Sequence, residues 1–223
     1  MNPHNTHLGV LIVIEGIDGA GTTTQTDLLV AWLTRIGIPS LATREPSDGP
    51  IGVVARKHLG RHLDLASPEA EALAFAADRM DHVASEIVPA LERGITVVAD
   101  RYYLSSLAYQ SLSCDMEWVR EINRYALQPD LTVLLSVSVD VGVGRFSGRA
   151  RLERFEDDPD ELARIVARYE AAVTALRADG EAITVIDGAR STAEVHADVV
   201  RLAAGVLAPR HPGADLTAGR PPA

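Results

Sequence analysis

Four short runs of β-branched and aliphatic residues, at 10–14, 95–99, 131–137 and 183–186, constrain the fold of this chain more than any other feature. Each is nearly continuous in apolar residues, the pattern of a strand buried on both faces rather than on one. A weaker fifth run fits 40–43. Helical patterns lie between and after them, at roughly 22–36, 51–60, 68–93, 116–127, 159–178 and 192–206. Their start signals are explicit. Ser67 precedes Pro68 and Asp158 precedes Pro159, a cap residue ahead of a first-turn proline. Ser191 and Glu194 have capping-box spacing. Strands and helices alternating on this scale predict a single α/β domain over residues 8–207, with a parallel five-stranded sheet flanked by helices. Residues 1–7 and the Pro- and Gly-rich tail 208–223 are expected to be disordered.

A chain of 223 residues, 47% of them hydrophobic, can bury the core that such a sheet needs. Cys114 is the only cysteine, so no internal disulfide can form and a reducing, cytoplasmic setting is expected. No apolar run approaches the ~20 residues of a membrane span, and the start "MNPHNTHLGV" lacks the pattern of a secretory signal. A net charge of -10 argues against a broad nucleic-acid footprint. An anionic ligand would therefore need locally concentrated positive charge. That charge is almost all arginine, because Lys57 is the only lysine.

The stretch "IEGIDGAGTTTQ" places Gly16 and Gly21 at the spacing of a phosphate-binding loop, G-x-x-x-x-G-K-[ST], between a strand and a helix. Glycines at 16, 19 and 21 let the backbone turn so that successive N–H groups face a phosphate, and the helix N-terminus adds positive potential. Thr23 stands at the position whose hydroxyl ligates Mg²⁺. Thr22 stands where the pattern has lysine.

Other candidates follow along the chain. Asp100 and Arg101 end the run "VVAD" at the sheet edge where ligands bind in such folds, suited to Mg²⁺ and to a phosphate. A plain strand-ending ion pair is the competing reading. Phe75 and Arg79 share a helix face, an aromatic plane beside a guanidinium that suits a nucleobase, although a phenylalanine here also suits a core position. Arg145, Arg149, Arg151 and Arg154 crowd one short span, with Gly144 and Gly148 interrupting its helical pattern. A hinged flap closing over transferring phosphates would look like this, and so would a solvated segment paired to its neighbouring acids. His58 and His62 are four apart but have no third ligand in view, so no metal site is read there.

Taken in order, "IEGIDGAGTTTQ", "TREPSDGPIG", "FAADRMDHV", "PALERGITVVADRYYLSSLAYQ", "LQPDLTVLLSV" and "LERFE" resemble the thymidylate kinases, P-loop enzymes that phosphorylate dTMP with ATP. The resemblance runs over residues 8–207. It implies a P-loop NTPase-type three-layer fold with a short arginine-rich lid at about 145–158, Mg²⁺ with ATP as donor, and a homodimer. The ATP phosphates would lie on Gly16, Ile17, Asp18, Gly19, Ala20, Gly21, Thr22, Thr23 and Thr24, and Arg145 and Arg190 by the adenine. Asp18, Arg44, Pro46, Phe75, Arg79, Arg101, Ser106, Tyr109 and Gln110 would form the dTMP site. Phe75 would stack on thymine, Arg79 would reach its O4 edge and Tyr109 would sit under the sugar. Thr23 and Asp100 would place the metal, and Arg101, Arg149, Arg151 and Arg154 would act in transfer.

Thr22 departs from the family pattern, as do Ser47 and Asp48, which stand where it usually has two glycines, and Glu153, where aspartate is commoner. A unit charge ~4 Å from a phosphate at an effective dielectric near 20 is worth about 4 kcal/mol, nearly a thousandfold in rate if lost from the transition state alone. A threonine hydroxyl does not recover that; a lid guanidinium, spanning two phosphate oxygens, can. The expectation is a dTMP kinase with a lid arginine in place of the loop lysine. A nucleotide-binding pseudokinase and a kinase for another nucleotide or deoxynucleoside are the alternatives.

Overall fold

The protein is described here by a computed structural model covering residues 2–146 and 158–218. In chain order its elements are β1 (Leu11–Glu15), α1 (Thr22–Arg35), β2 (Ser40–Arg44), α2 (Pro50–Leu59), α3 (Pro68–His82), α4 (Val88–Glu92), β3 (Thr96–Asp100) and α5 (Tyr103–Tyr109). Then come α6 (Met116–Ile122), β4 (Leu131–Ser136), α7 (Val139–Phe146), α8 (Pro159–Ala178), β5 (Ile183–Asp187) and α9 (Thr192–Leu207).

All five strands are parallel, in the order β2-β3-β1-β4-β5. Central β1 and β3 are buried at every residue, whereas the edge strands β2 and β5 are only partly covered. This is why the edge run at 40–43 reads weakly in the sequence and the central runs read strongly. Helices α1 and α9 pack on each other and on the sheet, while α4 contacts β3 and α8 contacts β5. Trp32, Leu29 and Leu33 of α1 are buried in the resulting core.

The caps form as their spacing predicts. Ser67 accepts from the Ala70 N–H, Asp158 from those of Asp160 and Glu161, and Ser191 with Glu194 closes a capping box. Other expectations need correction. The single helix over 68–93 is α3, a π-helical turn over Val83–Ile87 and α4. Pro89 has no N–H to give to the ladder, and a wider turn absorbs the gap. The helix over 116–127 stops at Ile122, where the Asn123 side chain donates to the Val119 carbonyl and ends the ladder. Gly144 lies within α7 and does not interrupt it. Helix α5 and the 3₁₀ turn Gln110–Leu112 that follows it have no counterpart in the sequence reading.

Near both ends of the chain, described residues bond back to the body of the protein. The Gln128 N–H donates to the Pro3 carbonyl, and Asn5 donates to Asp130. Asp130 also accepts from the Leu11 N–H and pairs with Arg210 of the tail. The Trp32 indole N–H donates to the Ala218 carbonyl. Gly9, leading into β1, sits so close to the 90–96 turn that an added Cβ would lie 2.2 Å from the Ile95 carbonyl oxygen. Gly9→Ala is therefore expected to destabilise the protein by about 1–3 kcal/mol, read as a lower urea midpoint.

Candidate active site

The carboxyl ends of the strands open into one cleft of about 700 Å³. Of the residues singled out from the sequence, Asp18, Gly19, Ala20, Gly21, Thr22, Thr23 and Thr24 of the loop line it together with Arg145 and Arg190. Arg44, Pro46, Phe75, Arg79, Ser106, Tyr109 and Gln110 line the same cleft, as do Asp100 and Arg101. Gly16 and Ile17 lie behind it. Ile17 is buried, and the Gly16 carbonyl accepts from the Tyr169 hydroxyl at 3.2 Å. Arg149, Arg151 and Arg154, with most of the expected lid, lie outside the described residues.

The loop's shape follows from its glycines. Gly19 and Gly21 have φ of 78° and 98°, the left-handed region that L side chains avoid. Gly19 also faces Gly142 of α7, where a Cβ would come within 2.5 Å of the Gly142 carbonyl oxygen. Arg145, one turn further along α7, donates to the carbonyls of Gly19 at 3.1 Å and Gly188 at 3.0 Å. Its guanidinium therefore straps the loop to the segment after β5. Arg190 is paired with Asp198.

The parallel register sets Ile14 of β1 opposite Asp100 of β3. The Thr23 hydroxyl consequently donates to Asp100 Oδ2 at 2.5 Å. Asp100 Oδ1 is buried and has no hydrogen-bond partner among the described residues. A hydroxyl, a carboxylate and an orphaned carboxylate oxygen beside a phosphate loop suit Mg²⁺, a hard cation that takes few protein ligands and keeps water and phosphate oxygens. Among the described residues no cluster of three or more His, Cys, Asp or Glu is placed to hold a metal. His58 in particular is buried, bonded to Glu71 at 2.9 Å and to the Leu63 carbonyl.

Beyond Asp100 the chain turns through Arg101, whose φ of 69° is left-handed for a non-glycine residue. Such a conformation costs about 1–3 kcal/mol and persists only where its surroundings determine it. Here the Arg101 N–H donates to the Ile14 carbonyl, and Glu15 accepts from the N–H groups of Tyr102 and Ser105 and from the Ser105 hydroxyl. Glu15 thus caps α5 from another strand. The turn aims the Arg101 guanidinium at Asp18 of the loop, 2.6 Å away, and sets it over the Tyr109 ring.

Arg79 is fully buried. It donates to Glu45, Ser106 and Asn123 and lies over the Tyr102 ring. Phe75, one turn earlier, is only partly buried and faces the cleft instead of joining the core. Glu45 is tied in turn to His82 at 3.2 Å. Burial opposes protonation of His82, but Glu45 and Glu86 outweigh it and hold its pKa above the ordinary value. Arg56 also lines the cleft and was not picked out from the sequence. Neither were Glu15, Glu45 and Asn123, whose partners lie in distant segments. Glu45, inside "TREP", and Glu15, inside "IEGIDGAGTTTQ", lie in stretches that carry a local signal; Asn123 does not.

Burial pushes the Glu15 carboxyl up to about 7, although Ser105 and Arg101 favour its charged form. A carboxyl whose folded pKa is raised stabilises the fold fully below its unfolded pKa, near 4.5, and that stability is lost as pH rises toward 7. Glu15→Gln mimics the protonated form and keeps an acceptor for both N–H groups. Wild type is expected to lose about 3 kcal/mol relative to Glu15→Gln between pH 4.5 and 8, measured by urea unfolding.

The chain matches the family profile described as thymidylate kinase over residues 14–199. It is similar to a probable thymidylate kinase of Thermococcus gammatolerans, 40% identical over 203 residues that cover 87% of this chain and 96% of the relative. It is 44% identical to a thymidylate kinase of Thermomicrobium roseum over 85% of this chain and 91% of the relative. A thymidylate kinase of Leifsonia xyli subsp. xyli is 41% identical over 86% and 92%.

Proposed function

The chain belongs to the thymidylate kinase family and transfers a phosphoryl group from ATP to dTMP, giving dTDP and ADP; we propose how its own residues divide that work. The observation that carries the proposal is the single cleft lined both by the phosphate loop and by Phe75, Arg79 and Tyr109, with Arg101 in the same lining.

ATP lies with its phosphates on the N–H groups of the loop from Gly16 to Thr24 and its adenine between Arg145 and Arg190. The dTMP base stacks on Phe75 and presents its O4 edge to Arg79, with Ser106 and Gln110 completing the pocket. Tyr109 lies beneath the sugar, where a 2′-hydroxyl would collide, and Asp18 accepts from the 3′-hydroxyl. Arg44 and Arg101 hold the acceptor phosphate, with Pro46 shaping its loop, and Arg56 joins them because it lines the same cleft and shares the Asp48 carboxylate with Arg44. Thr23 and Asp100 would hold Mg²⁺, which when bound would supply positive charge to the donor phosphates. Arg79 suits its task because Glu45, Ser106 and Asn123 fix its guanidinium before a base arrives. Preorganised donors of this kind cost little reorganisation on binding.

Transfer is in line and rests on positioning and charge stabilisation, not on a covalent intermediate. Thr22 brings no charge to the transferring phosphoryl group. Arg145 is engaged with the Gly19, Ala20 and Gly188 carbonyls and so serves as the loop's strap. The missing charge is therefore assigned to Arg149, Arg151 or Arg154. Assembly as a homodimer belongs to the same reading. Its support is that exposed large apolar residues concentrate on α2, the turn after it and α3, at Val53, Val54, Leu63 and Leu73.

A coupled assay with dTMP and ATP tests the assignment. Replacing the compensating arginine by alanine is expected to lower kcat by about 10²–10³ with little change in the KM for dTMP, the scale of one lost phosphate charge. Thr22→Lys in that background restores part of the rate. Full activity in all three single variants, Arg149→Ala, Arg151→Ala and Arg154→Ala, would refute the substitution of a lid arginine for the loop lysine.

A further inference from the structure

The segment between β2 and α2 carries a charge that faces the wrong way for an anion site. Asp48 accepts from the Arg56 guanidinium and lies 3.4 Å from that of Arg44. Both arginines line the cleft. The Asp48 carboxylate is itself 81% exposed, so these two contacts are not forced by packing. Arg56, with Arg44 after it, holds the carboxyl below the ordinary aspartate range, so it is ionised at neutral pH.

The backbone around Asp48 is firmly seated. The Ser47 N–H donates to buried Asp78 at 2.7 Å, and the Ser47 hydroxyl donates to the same carboxylate at 2.5 Å. The Ser47 hydroxyl also accepts from the Gly49 N–H. Arg56 donates to the Pro46 and Ser47 carbonyls besides Asp48. Gly52, at the start of α2, packs so tightly under this turn that a Cβ would lie 2.1 Å from the Ser47 carbonyl oxygen. Asp48 therefore projects from a fixed turn onto two guanidinium groups. With glycine at both 47 and 48 the turn would lose the Ser47 hydroxyl anchor and the carboxylate together.

We propose that Asp48 is an internal competitor for the acceptor phosphate, occupying Arg44 and Arg56 until the phosphate of dTMP displaces it. The proposal rests on the reading of Arg44 and Arg56 as acceptor-phosphate ligands. A carboxylate and a phosphate ask the same thing of a guanidinium, paired N–H donors and positive charge. The phosphate dianion carries more charge and more acceptor oxygens, so it wins, at a cost in apparent affinity. Because the competing pair is exposed, the effect is modest and sensitive to salt. Weaker anions meet the same competitor with less to offer, so the device favours a phosphate dianion over singly charged species. Asp48 is then a specificity-determining residue acting on the binding of the acceptor, and it leaves the transfer step alone.

The test compares Asp48→Asn and Asp48→Gly with wild type in the dTMP/ATP assay, alongside Arg44→Ala and Arg56→Ala. At low ionic strength both Asp48 variants are expected to show a KM for dTMP lower by about two- to fivefold with kcat unchanged. That advantage shrinks as sodium chloride is raised toward ~1 M, where the screening length falls to about 3 Å. Inorganic sulfate, as a competitor of dTMP, should inhibit the variants at lower concentration than it inhibits wild type. An unchanged or raised KM in both Asp48 variants, with Arg44→Ala or Arg56→Ala raising it, overturns the competition and leaves the acceptor-site reading standing. If neither Arg44→Ala nor Arg56→Ala moves the KM, the acceptor-site reading fails and the proposal falls with it.

Discussion

The pairing of β1 with β3 sets everything at the ligand end of this molecule. Ile14 lies opposite Asp100, so the loop leaving β1 and the acid ending β3 emerge side by side. Thr23 then reaches Asp100 across the gap, and Arg101 turns back to Asp18. Both contacts depend on register. A one-residue shift would send every side chain of a buried strand to the opposite face of the sheet, where it would meet the wrong layer of helices, so slippage is resisted. The apolar runs that identify the strands in the sequence are thus also what holds the chemistry in place.

Around that junction the protein disposes of its positive charge by pairing it. Among the described residues, each of the six arginines lining the cleft already has a partner: Asp48 for Arg44 and Arg56, Glu45 for Arg79, Asp18 for Arg101, Asp198 for Arg190, and backbone carbonyls for Arg145. In a chain of net charge -10 this keeps guanidinium groups oriented and partly neutralised. It also divides them by task. Those with buried partners, such as Arg79, are fixed recognition elements, whereas those with exposed partners can exchange them. Glu15 serves the same order from beneath, capping α5 and so fixing the turn from which Arg101 projects.

What could be read from the sequence was what is local in the chain. Periodic apolar runs, Ser67 before Pro68 and the glycine spacing of the loop each carry their physics within a few residues, and the elements they announce form. Helix α5 was missed because its cap comes from Glu15, about ninety residues away, and no capping residue stands at its own start. Gly144 reads as a break in the sequence, but glycine only weakens a helix, and α7 packs closely enough on the loop to hold it. Phe75 could not be assigned to cleft or core from its helical spacing alone, since both uses have the same period. Arg56 drew no notice because its importance lies in where α2 docks.

The lysine that the phosphate loop lacks has a chemical consequence apart from catalysis. Kinases with a loop lysine carry a nucleophilic amine beside the donor phosphates, open to acylation by reactive nucleotides or by metabolic acyl donors. Here that position is a buried threonine hydroxyl, and the chain's one lysine, Lys57, is exposed on α2. Among side chains, acylation of amines therefore reaches this protein at Lys57 alone and leaves the loop untouched. A reagent aimed at a lysine beside the donor phosphates finds no such side chain in this loop.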